Sequence, residues 1–90
     1  MNISVIGLGK LGLCTAACFA SKGHQVIGVD TNQDVLEKLH RKQCPIDEPG
    51  LEELLEKAWG HLTVAEKAIE ALGNSEITLI IVPTPRPISI

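Results

Sequence analysis

The chain has 90 residues, 8 Lys+Arg against 11 Asp+Glu for a formal charge of -3, and it is 44% hydrophobic and 21% charged. One small domain fits that length, and the composition excludes a disordered, collagenous or polyelectrolyte chain. Phe19 and Trp59 are the only aromatics, so the core must be aliphatic, and the mild acidity argues against a nucleic-acid or membrane partner held by charge.

Ile3-Ser4-Val5-Ile6 is a β-branched run that ends in Gly7-Leu8-Gly9-Lys10-Leu11-Gly12, a strand entering a glycine turn. Cys14, Ala17, Cys18 and Ser21 then fall at helical spacing up to Gly23, a left-handed stop, which predicts a helix over about 11–22. Val26-Ile27-Gly28-Val29 reads as a second strand with Asp30 at its C-terminal end. Thr31 and Asn32 are good caps for a helix whose apolar stripe is Val35, Leu36 and Leu39, with Asp34–Lys38 and Glu37–Arg41 spaced as i,i+4 pairs. Pro45 ends that helix before Cys44.

Asp47, Glu48 and Pro49 precede a further helical pattern, Leu51, Leu54, Leu55 and Ala58, which Gly60 closes. Leu62-Thr63-Val64 reads as a short third strand, residues 65–72 as another helix, and Ile77 to Val82 as a fourth, highly apolar strand. Near-continuous apolar strands joined by crossovers predict a parallel sheet. The right-handed crossover rule then gives a Rossmann-like doubly wound α/β fold of about four strands in order 3-2-1-4, with residues 1–90 forming the N-terminal part of a dinucleotide-binding domain.

Each glycine of the turn has a physical task. Gly7 permits the tight exit from the strand, Gly9 leaves room for a pyrophosphate at the backbone, and Gly12 lets the helix pack closely. The helix N-terminus supplies free amides and a positive dipole end. An acidic residue, Asp30, ends the next strand 18 residues after Gly12, completing the context for a dinucleotide. Its carboxylate would accept from an adenosine ribose and repel a 2′-phosphate, so NAD is expected over NADP; the same half-fold also serves FAD.

Four blocks carry a more specific likeness: Ile3 to Leu13 with its Gly7-Leu8-Gly9-Lys10-Leu11-Gly12 turn, Ala16 to Asp30, Pro45-Ile46-Asp47-Glu48-Pro49-Gly50-Leu51, and Val82-Pro83-Thr84-Pro85. Together they resemble the N-terminal NAD-binding domain of the UDP-glucose/GDP-mannose dehydrogenase family. The resemblance implies an oxidoreductase that turns the C6 alcohol of a UDP- or GDP-sugar into a carboxylate in two NAD-dependent steps, through a thioester on a cysteine. It implies cofactor contacts at Gly7, Leu8, Gly9, Lys10, Leu11, Gly12 and Asp30, with Thr84 near the nicotinamide half, and a role in making polysaccharide precursors. Val35 stands where the family usually carries Lys or Arg. The family's catalytic cysteine, and its central and sugar-binding domains, belong to sequence beyond Ile90, so no catalytic residue is expected here and the nucleotide sugar is a partner of the full-length enzyme only.

The other candidates take structural readings. Cys14 and Cys18 are expected as buried packing on their helix, Cys44 as a loop residue without a base, and Trp59 as core or partly buried packing. His40 and Cys44 are not expected to hold a metal, since Pro45 breaks the helix between them and no second pair follows. No run of about 18 apolar residues occurs and no signal-like start opens the chain, so a cytoplasmic location is expected, and three unpaired cysteines suit a reducing compartment. The fourth strand, residues 77–82, is an uncharged edge from which self-association is expected. A noncatalytic NAD-binding regulatory module, or an interaction fragment, is the alternative function.

Overall fold

The computed structural model describes residues 1–73 and 75–81. The described elements are β1 (Asn2–Ile6), α1 (Lys10–Ser21), β2 (Gln25–Val29), α2 (Gln33–His40), α3 (Leu51–Ala58), β3 (Leu62–Ala65), α4 (Ala68–Leu72) and β4 (Ile77–Ile80). All strand pairs are parallel and the sheet order is β3-β2-β1-β4, as the sequence predicts. In this order β1 is central, so the turn that leaves its C-terminal end opens where chain connections depart in opposite directions, the place at which open α/β sheets bind ligands.

Register explains the core. Ile3 aligns with Val26, and Val26 with Leu62, so these side chains share one face of the sheet. That face meets Leu13, Ala16, Ala17 and Ala20 of α1, and Leu51, Leu55 and Ala58 of α3 join the same buried cluster. Alanines let α1 sit close to the strands, and α3 packs in turn on α1. Val5, Leu13 and Leu55 are fully buried, each contributing about 1.5–3 kcal/mol by removal from water.

Ser4 points to the opposite face. It is fully buried, its hydroxyl donates to the Ala71 carbonyl at 3.4 Å, and it also meets the Ser75 hydroxyl. Helix α4 therefore covers the second face, and a polar residue in the core has its partners.

Most boundaries fall within a residue or two of expectation. The α2 cap is Asn32, whose side chain accepts from the Asp34 and Val35 amides at 3.0 and 3.3 Å, an arrangement worth about 1 kcal/mol. Glu37 and Arg41 pair at 2.7 Å, whereas Asp34–Lys38 is not among the ion pairs of the described residues. Gly23, at φ +95°, stops α1 as predicted. The fourth helix is shorter than 65–72, because Ala65 pairs with Val29 and extends β3.

Two side-chain expectations are corrected. Cys18 is exposed rather than buried; α1 turns Gly12, Leu13, Ala16, Ala17 and Ala20 inward, and Cys18 lies off that stripe. Ile80, which a highly apolar strand with two faces to cover would be expected to bury so that Lys there unfolds the chain, is 68% exposed. Leu79 packs against the core, whereas Ile80 points to the opposite face of the strand. Thr84, Val82 and the proline segment lie outside the described residues.

Candidate functional site

The glycine turn is built by steric exclusion. Gly7 leaves β1 at φ +101°, and a Cβ there would stand 1.9 Å from the Ile81 carbonyl oxygen. A Cβ on Gly12 would stand 1.7 Å from the carbonyl oxygen of Gly7. These two positions bring the start of α1, the end of β1 and the exit of β4 into mutual backbone contact that no larger residue permits. Gly9 differs: its φ of -69° suits any residue, and among the described residues no heavy atom lies within 4 Å of its ideal Cβ. Its smallness serves neither the backbone conformation nor the packing, and leaves open space above the turn.

That space adjoins the N-terminus of α1. Gly9 is the N-cap, no side chain caps the helix, and no acidic residue stands in its first turn. The opening amides have no intrahelical acceptor and, with the helix dipole, favour an anion. Lys10 and Leu11 are exposed, Leu11 at 67%. Leu8 turns inward instead: it is buried, and a Cβ on Gly28 would come within 2.9 Å of its methyl groups. Gly28 thus makes room in β2 for the side chain that anchors the turn. A glycine inside an apolar strand signals such a close approach, and sequence reading passed over it.

Asp30 joins the two ends of the site. One carboxylate oxygen accepts from the Leu8 amide at 2.7 Å and the other from the Asn32 amide at 2.9 Å. The acid is therefore held against the glycine turn and against the cap of α2. Each oxygen has a second acceptor site, so the carboxylate can still receive hydroxyl donors from a ligand. The sequence places Asp30 at the strand end but gives no sign of its bond to the turn.

On the other flank the loop before α3 comes down beside α1. Lys10 Nζ lies 3.1 Å from Glu48 Oε2. Cys14, one turn further along α1, is half-buried; burial first, and then the nearby Glu48 carboxylate, raise its thiol above the ordinary value, with Lys10 opposing. Cys44 donates to the Ile46 carbonyl at 3.0 Å, an internal bond of the loop. Trp59 is partly buried against the core. A groove of about 540 Å³ opens between the loop and α3, lined by Cys44, Asp47, Glu48, Glu52, Glu56 and Trp59 among others. Four carboxylates against Lys38 and Lys42 leave it an acidic excess that suits a dinucleotide poorly, whereas at the glycine turn the nearby acids are Asp30 and Glu48, and Lys10 offsets Glu48. Among the described residues no group of three metal-ligating side chains occurs, and no helix is long and apolar enough to cross a membrane.

A parallel sheet in this order, with a glycine turn opening α1 and an acid closing β2, defines a dinucleotide-binding domain of the Rossmann type. Residues 1–89 match the family described as "UDP-glucose/GDP-mannose dehydrogenase family, NAD binding domain", and the chain belongs to it, with NAD as the cofactor of the domain. Among curated relatives it is 40% identical over 85 residues to UDP-glucose 6-dehydrogenase AglM of Haloferax volcanii and 40% identical over 87 residues to GDP-mannose 6-dehydrogenase of Pseudomonas syringae pv. tomato. In both, the match covers 94% of this chain and 20% of the relative, so the chain spans about a fifth of their length. Among solved structures, the ternary complex of GDP-mannose dehydrogenase from Pseudomonas aeruginosa superposes with a TM-score of 0.88 at 38% identity, over 94% of this chain and 20% of that one. The UDP-glucose dehydrogenase of Pyrobaculum islandicum superposes with a TM-score of 0.84 at 43% identity, over 93% and 21%.

Proposed function

We propose that the chain is the NAD-binding portion of a nucleotide-sugar 6-dehydrogenase, an enzyme that oxidises the C6 alcohol of a UDP- or GDP-sugar to the carboxylate. The observation that carries the cofactor side is the 2.7 Å bond from the Leu8 amide to Asp30. It ties the ribose-reading acid to the phosphate-binding turn, so one rigid unit reads both parts of an adenosine diphosphate. The relatives' names support the sugar side.

The residues divide the work as follows. Gly9 admits the pyrophosphate to the backbone, and the amides at the start of α1 donate to it. Gly7 and Gly12 hold the turn in shape, Leu8 pins it to Gly28, and Asp30 accepts from the adenosine ribose and disfavours a 2′-phosphate. NAD, when bound, supplies a hydride acceptor. Thr84 is proposed to border the nicotinamide half: Ile81, three residues before it, already touches the backbone position of Gly7.

Residues 1–90 alone are proposed to bind NAD without dehydrogenase activity: the chain spans about a fifth of its relatives' length, the Cys44 thiol donates within its own loop, and burial and Glu48 raise the Cys14 thiol rather than favour the thiolate that a nucleophile needs. The exposed Ile77 and Ile80 of β4 favour self-association along that edge. Calorimetric titration of the chain with NAD and NADP, alongside an assay for NADH production from UDP-glucose and GDP-mannose, tests the reading. Tighter binding of NAD and no NADH are expected. NADP bound equally well, or NADH production lost on Cys44→Ser, would overturn it.

A further inference from the structure

Glu48 lies where a carboxylate should hinder the proposed ligand. Its loop is anchored where it enters α3: the Leu51 amide donates to the Glu48 carbonyl at 3.1 Å, Gly50 adopts φ +82° to start α3, and Leu51 and Leu55 of α3 are buried in the same cluster as α1. Glu48 is only 29% exposed, and its one ion-pair partner among the described residues is Lys10, the first residue of α1, whose own side chain is 71% exposed. The anion-binding turn therefore has beside it a fixed acid and a mobile base. Cys14 senses both charges, which places them together against the first turns of α1.

We infer that Lys10 and Glu48 form a charge latch on the cofactor site: Lys10 neutralises Glu48 in the free domain and turns to the cofactor's diphosphate when it binds, so that Glu48 sets how tightly NAD is held. The inference rests on the proposed NAD site. It gives the Glu48-Pro49-Gly50-Leu51 block a function, since the proline and the left-handed glycine hold the acid in place while the lysine stem pivots. The lysine is the residue free to move, being a point charge on a flexible chain.

Charge arithmetic gives the signature. Removing Glu48 frees Lys10 for the diphosphate, whereas removing Lys10 leaves an uncompensated acid near it. Each change should alter NAD affinity by about three- to tenfold, the size of one unit-charge interaction fully exposed to water. Glu48→Gln should bind NAD more tightly, Lys10→Met more weakly, and Lys10→Arg close to the parent. The double variant should be stronger than Lys10→Met alone. Calorimetry with NAD on these proteins, at low and high salt, is the test; Glu48→Gln should show the steepest loss of affinity with salt, because its lysine pairs only with the ligand. Thermal melts of each variant establish that it is folded. Equal NAD affinity in all the variants would overturn the latch while leaving the site in place. Failure of every protein to bind NAD would overturn the site and the latch together.

Discussion

Substituting the glycines of the turn one at a time should separate folding from binding. In Gly12→Ala the new Cβ would stand 1.7 Å from the Gly7 oxygen and 2.8 Å from its carbon, where real contacts stay beyond 3.0 Å. The helix start or the turn must give by about 1.3 Å, against backbone that Ile81 and Gly7 already fix. Overpacking of this kind costs about 1–3 kcal/mol or more, and the better helix propensity of alanine returns about 1 kcal/mol. Taking a net loss of about 2 kcal/mol, the melting temperature of a domain this size falls by about 8–16 °C. In Gly9→Val the Cβ meets no described atom within 4 Å and the backbone stays allowed; its stability should change by less than about 1 kcal/mol, the scale of N-cap effects. Its NAD affinity should nevertheless fall at least tenfold, because the side chain fills the space over the turn. Thermal melts and NAD calorimetry on both variants are the assay. A Gly9→Val protein that binds NAD like the parent, or a Gly12→Ala protein with the parental melt, would refute the reasoning.

Asp30→Asn should narrow the preference for NAD over NADP and destabilise the fold by about 1–2 kcal/mol, because an amide cannot accept from both the Leu8 and Asn32 N–H groups; parental stability in a denaturant melt would contradict its structural role. Ile80→Lys should leave the melt within about 0.5 kcal/mol and reduce scattering from the chain at micromolar concentration, whereas unfolding would show that Ile80 is covered. Alkylation followed by mass spectrometry should modify the exposed Cys18 before Cys14, whose thiol burial and Glu48 keep protonated past its ordinary value near 9.0. Since the unfolded chain ionises Cys14 earlier, the stability it contributes should persist below that value and be lost as pH rises through the folded one. A flat stability profile through this range would count against the burial of Cys14.

The parts of the fold written in local pattern were legible. Hydrophobic period and glycine stops place β1, α1, β2, α2 and α3 to within a residue or two, and strand order follows from crossover handedness. Side-chain environments that depend on a neighbour were not. Ile80 and Cys18 carry apolar character that suggests burial, yet each faces away from whatever covers its element. Ala65 reads equally well as helix or strand until Val29 pairs with it. At the site, spacing alone finds Gly7, Gly9, Gly12 and Asp30. The Leu8–Gly28 packing, the Leu8–Asp30 bond and the Lys10–Glu48 pair join segments 20 to 38 residues apart, and only the folded chain brings them together.

NAD is proposed to lie on the turn between β1 and α1, with Asp30 on its adenosine ribose. Backbone amide resonances of the isotopically labelled chain, followed through titrations with NAD and with NADP, test it most directly. NAD should shift the amides of Leu8 to Leu13 and of Asp30 to Asn32, and NADP should shift the same amides only at higher concentration. Shifts confined to the groove between the Cys44–Glu48 loop and α3, or equal responses to the two cofactors, would contradict it.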